Sequence, residues 1–161
     1  MAAASVVAAR AEAGRRMRTK EFLSKLEHDR IVRAIQDAEL KSSGQIRVHI
    51  QRGKLDGDAL VAAQNKFHRL GMHKTRERNA VLIYVAPRAH KFAVVGDKAT
   101  HEKCGDALWQ RVAAKMREHF RNERFSDALV DAVHDIGQVL AEHFPRKDRG
   151  GNELPDNVVE T

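Results

Sequence analysis

Cysteine is nearly missing from this chain: Cys104 stands alone among 161 residues. No disulfide can close within the chain, so a reducing, cytoplasmic setting is the natural expectation. A zinc ribbon or a dithiol redox pair has no second thiol to use. Long apolar runs are missing too, and nothing approaches the roughly 20 residues that cross a bilayer, which points to a soluble protein. No internal repeat, glycine-rich nucleotide-phosphate loop or EF-hand spacing occurs. Three common routes to a function are thereby closed.

What is present is ordinary for one α/β domain: 42% apolar and 32% charged residues, in a length typical of a single core. The net charge of +7 is unevenly placed. Residues 1–20 carry five basic side chains against one acid, and 66–78 repeat that ratio. A basic protein often meets nucleic acid. Here the excess sits in one end and one loop, and the nearest aromatic, Phe67, reads as core, so nucleic acid ranks lowest among partners. Residues 1–20 read as an unstructured extension. Their apolar stretch precedes its arginines, the wrong order for a secretory signal; an arginine-rich presequence, or a start at Met17, are the other readings. Residues 146–161 read as a polar, unstructured tail, leaving 21–145 as the domain.

Periodicity supplies the elements. Ser24 and Glu27 have capping-box spacing, predicting a helix over 24–41. Residues 45–52 alternate, with Ile46, Val48 and Ile50 inward and Arg47, His49 and Gln51 outward, as in a half-buried strand. Asp56 and Asp58 offer caps for a second helix that Gly71 stops. Residues 80–86 are apolar on both faces, as a central strand requires. Pro87 to His90 turn the chain into a strand over 91–96. A third helix is expected over 105–121, and a fourth is capped by Ser126 and ended by Pro145. The strand–helix–strand unit should form a right-handed parallel crossover. The fold class is thus α/β: a small mixed sheet, a βαβ unit plus an antiparallel hairpin strand, packed between helices.

Several segments together carry a family likeness: AELKSSGQIRV (38–48), FHRLGMHKTRERNAVLIYVA (67–86), VVGDK (94–98), LWQRVAAKMREHF (108–120) and VLAEHFP (139–145), with NELPD (152–156) beyond. Over residues 22–144 the chain resembles the TPM domain, a family named in part for thylakoid-lumen proteins of photosystem repair. The resemblance implies an α/β sandwich, and a weak phosphatase activity or binding of a divalent cation such as Ca2+ or Mg2+. Gln45 stands where the family pattern usually has Glu, and Ala99-Thr100 where glycine and isoleucine are common. Gln45 therefore removes a carboxylate from any implied metal site.

Topology predicts where chemistry would gather. Two parallel strands start at Gln45 and Asn79, and the antiparallel strand ends beside them at Asp97. Oxygens of Asp97, Glu102, Gln45 and Asn79 are the candidate ligands for a hard cation. Asp97 is the candidate catalytic acid, and Lys74, Arg76, Arg78 and Lys98 are the candidate phosphate holders. The competing reading makes Asp97 a helix cap and Asn79 a turn residue. His68 and His73 are five apart with Gly71 between, which argues against a shared helical face. Cys104, near a helix start, reads as a small packed residue rather than a nucleophile. Two functions follow: a cation- or phosphate-binding domain acting on a phosphorylated substrate, or a non-enzymatic module binding a protein through the exposed face of 47, 49 and 51 or through the tail.

Overall fold

The computed structural model describes residues 4–10, 19–55, 57–146 and 158–160. In chain order these form β1 (Ala4–Arg10), α1 (Thr19–Ser24), α2 (His28–Lys41), β2 (Ile46–Ile50), α3 (Ala59–Arg69), β3 (Val81–Ala86), β4 (Lys91–Gly96), α4 (Lys98–Arg121), α5 (Phe125–His143) and β5 (Val158–Glu160). The sheet order is β1-β4-β3-β2-β5. Its three central strands are those the sequence predicts. β2 and β3 run parallel with Ile46 opposite Val81, and β4 returns antiparallel with Gly96 opposite Val81. The mixed α/β class is as expected. The flanks differ: β1 pairs antiparallel with β4 and β5 parallel with β2. Reading 1–20 and 146–161 as unstructured made no provision for either strand. The rest of those ends lies outside the described residues, as does the proposed cap Asp56.

Strand β3 is buried on both faces because each meets its own apolar layer. Val81, Ile83 and Val85 join the larger core, with Ile31 and Ile35 of α2, Trp109 and Met116 of α4, and Leu129, Val133 and Ile136 of α5. Leu82, Tyr84 and Ala86 face the smaller one, with Ala59, Ala63 and Phe67 of α3. Helices α2 and α5 approach closely at Gly137, where an added Cβ would lie 2.7 Å from the Ala38 Cβ. A larger residue there would drive the two helices apart.

Three local expectations are corrected. The helix predicted over 24–41 is two: Ser24 ends α1, its hydroxyl donating to the Glu21 carbonyl, and α2 begins at His28. Ser126 does not cap α5, which starts one residue earlier; its Oγ instead accepts from the Glu27 N–H at 2.9 Å, capping α2 from 99 residues away. The third helix starts at Lys98, seven residues before the expected 105, and bends at Gly105, whose φ of 73° lies in the left-handed region glycine tolerates. The caps at α3 hold as expected. Asp58 Oδ1 accepts from Leu60 N, and Gly71, at φ 70°, closes the C-terminus.

The polar face of β2 is also not exposed. All five of its residues are buried, Arg47 to 8% and His49 to 0% exposure. Of the docking face proposed from strand alternation, Arg47 and His49 are therefore interior, while Gln51 beyond the strand is half-buried.

Candidate functional site

The start of β2, the start of β3 and the end of β4 meet at one rim, as their parallel and antiparallel directions require. The Gln45 carbonyl accepts from Val81 N at 2.8 Å, and the Ala80 carbonyl accepts from Asp97 N at 2.9 Å. Gln45, Asn79 and Asp97 are all buried. Glu39, which the sequence reading passed over, pins the same rim: its buried carboxylate accepts from Ile46 N at 2.9 Å.

At the centre is Asp97, wholly buried. Its Oδ2 accepts from Arg78 Nε at 2.7 Å, and its Oδ1 accepts from Arg78 Nη2 at 2.9 Å and from Lys98 N at 2.8 Å. The bidentate fork is the strongest common geometry for a carboxylate, and the Lys98 contact caps α4. Arg78 sits at φ 53°, a region costly to any residue with a Cβ. The fork to Asp97 and the hydrogen bond from Ala99 N to the Arg78 carbonyl hold it there. Asp97 in turn raises the Arg78 pKa through its hydrogen bonds.

A further carboxylate at the rim is Glu77. Its Oε2 accepts from Ser43 Oγ in a very short contact and from Asn79 Nδ2 at 3.2 Å, while Asn79 Nδ2 also donates to Ser43 Oγ at 3.0 Å. Asn79 thus presents its amide N–H to this pair. Glu102 is exposed on α4, and Lys74, Arg76 and Lys98 are exposed around the rim.

A divalent cation needs several oxygens free to turn toward it. Asp97 already accepts three hydrogen bonds, two of them from a cation, and Asn79 is turned as a donor. Among the described residues no three His, Cys, Asp or Glu side chains gather in a metal-holding group. Asp97, the central candidate ligand, is thus already committed to partners within the chain.

The rim also gathers residues that spacing alone argued against. His68 and His73 have ring centroids 4.6 Å apart, because the left-handed Gly71 folds the chain back after α3. His73 feels both Arg78 and Asp97. Desolvation lowers its pKa, with His68, Lys74 and Arg78 acting the same way and Asp97 opposing. The only signal for this pairing in the sequence was Gly71 itself, as a turn rather than as an interruption. Cys104 is half-buried, and burial followed by Glu142 pushes its thiol up to about 11, against any lowering by the helix dipole.

The chain matches the TPM domain over residues 17–139. It belongs to that family. A solved structure shares the fold: the BA42 protein of the psychrophilic bacterium Bizionia argentinensis, determined by NMR, is 36% identical with a TM-score of 0.78. The match covers 84% of this chain and 92% of BA42. No curated protein matches this TPM chain. Among its described residues no helix is long and apolar enough to cross a membrane.

Proposed function

We propose that this TPM domain is a non-catalytic binding module that engages an acidic protein surface through its basic rim. One observation carries the reading: both oxygens of Asp97 are taken by Arg78 and the Lys98 N–H. A carboxylate so held is a poor general acid, nucleophile or metal ligand, because each role first requires breaking the fork. Outside it Lys74, Arg76 and Lys98 stand exposed, outnumbering the exposed Glu77 and Glu102, and an excess of exposed positive charge steers oppositely charged partners. Binding of polyglutamate, measured by calorimetry at rising salt, tests the reading. Affinity that falls with salt and vanishes in the Lys74→Glu/Arg76→Glu/Lys98→Glu variant is expected; equal binding by that variant refutes it.

A second reading, weak phosphatase activity on a phosphorylated substrate, draws on the His68–His73 pair beside the same cations. A neutral imidazole can accept a proton, and the cations can hold a phosphoryl group. Hydrolysis of a generic phosphomonoester, with and without Ca2+ or Mg2+, separates the two. Turnover that is lost in His73→Gln would favour the enzyme.

A further inference from the structure

The two imidazoles at the end of α3 are chemically unlike the oxygens of the Asp97 rim. His68 stands exposed on the last turn of α3, and His73 is half-buried on the short helical turn Met72–Lys74. Gly71, in the left-handed region, ties the two together. Its N–H donates to the His68 carbonyl at 3.0 Å, and its carbonyl accepts from Lys74 N at 3.1 Å. Met72, wholly buried in the smaller core, anchors the turn. Backbone hydrogen bonds and core packing therefore set the spacing of the pair. Its ring centroids lie 4.6 Å apart, with the planes inclined at 50°. His73 Nδ1 is closed off from water and has no hydrogen-bond partner.

Two imidazoles that share a metal ion each hold it about 2.0–2.1 Å from one nitrogen, which puts the ring centres of a cis pair roughly 4.5–5.5 Å apart. The observed separation falls inside that range. A buried, unpaired ring nitrogen carries a cost that ligation removes, and exposed His68 can turn a nitrogen toward the same point. Desolvation lowers the His73 pKa and so favours the neutral ring, the form that ligates. We infer that His68 and His73 form a two-nitrogen site for a transition-metal ion of the Zn2+, Ni2+ or Cu2+ class, its other positions left to water. Imidazole suits these ions, whereas Ca2+ and Mg2+ take oxygen ligands. Two protein ligands make an open site of modest affinity, and Lys74 and Arg78, which act on His73, lower it further. The site goes beyond both readings above. Binding an acidic partner uses no imidazole, and a phosphatase base needs His73 unligated.

Titration calorimetry of the tag-free full chain with Zn2+ alone, in PIPES buffer at neutral pH, tests it. The wild type should bind Zn2+, and His68→Gln and His73→Gln should each weaken binding by roughly tenfold or more. His68 is exposed, so its variant should keep the native melting temperature and decides the matter even if His73→Gln does not fold. His134→Gln, which removes an exposed histidine of α5, should bind as the wild type does. The rim variant Lys74→Glu/Arg76→Glu/Lys98→Glu should bind Zn2+ at least as tightly, so failure of the polyglutamate reading and failure of the metal site are told apart. With Cu2+ in place of Zn2+, pulsed electron paramagnetic resonance should detect both imidazoles in the wild type, and excess Mg2+ should displace neither metal. Absent Zn2+ binding, binding that His68→Gln leaves unchanged, or an equal loss in His134→Gln or the rim variant overturns the site. So does a single imidazole on Cu2+, or displacement by Mg2+.

Discussion

Replacing Arg78 with alanine should be the most costly change at the rim, and the asymmetry of its pair with Asp97 says why. Asp97 is wholly buried, whereas the Arg78 side chain is 32% exposed. Removing the arginine strands a carboxylate that cannot reach water; removing the aspartate leaves a guanidinium that can. Breaking a buried pair from the stranding side costs about 3–5 kcal/mol. Partial exposure of Arg78 screens some of that, so a loss of about 2–4 kcal/mol is expected for Arg78→Ala. Asp97→Asn, which keeps an oxygen to cap Lys98 N, should cost about 1–2 kcal/mol. Arg78→Gly should recover roughly 1 kcal/mol relative to Arg78→Ala, because glycine removes the strain at φ 53°.

Urea unfolding followed by Trp109 fluorescence measures each difference, since the indole is fully buried against the end of β4. The double variant Arg78→Ala/Asp97→Asn should lose less than the two single losses together, the signature of direct coupling. A loss below about 0.5 kcal/mol for Arg78→Ala would place the pair with ordinary surface ion pairs. In that case Asp97 would not be committed to structure.

Three other outcomes follow from buried groups. Burial foremost, then Lys66 and Arg47, hold the His49 pKa at about 4, so the unfolded chain binds this proton more readily than the folded one. Stability should therefore be flat above about pH 6.5 and fall as pH drops toward 4, by roughly 2–4 kcal/mol; His49→Gln should flatten that part of the pH profile. With its thiol near 11, Cys104 should react with a disulfide reagent at pH 8 far more slowly in the native chain than in urea, and equal rates would refute its placement. Gly137→Ala should cost about 1–3 kcal/mol, because the new methyl meets Ala38 at 2.7 Å, and Ala38→Gly should restore most of it.

The central strands were legible because burial on one or two faces leaves a period-two or continuous apolar pattern, as in residues 46–50 and 81–86. The convergence of Gln45, Asn79 and Asp97 followed from strand directions alone. What escaped the sequence was non-local. Ser126 looked like a cap for its own helix and serves another 99 residues away; no spacing rule reaches that far. Arg47 and His49 looked exposed because they alternate with Ile46, Val48 and Ile50, yet the second layer buries them as well. The Arg78–Asp97 fork was half visible: both residues were named, one for phosphate and one for a cation, but their pairing depended on a left-handed backbone at a residue other than glycine.

That pairing bears on the chemistry of the rim. Arg78 supplies positive charge and directional donors to Asp97 from within the chain, which is also what a bound divalent cation would supply to a carboxylate. The two are then competitors for the same oxygens, and the intramolecular one carries no concentration term. Wild-type melting temperature should accordingly be indifferent to Ca2+, while Arg78→Ala, with its stranded carboxylate, should gain stability as Ca2+ is added. Saturation at a hundred times the dissociation constant would return about 2.7 kcal/mol, comparable to what the substitution removes. A wild-type response as large as the variant's would mean that Arg78 does not occupy the cation's place, and a rim chemistry based on a metal would have to be reconsidered.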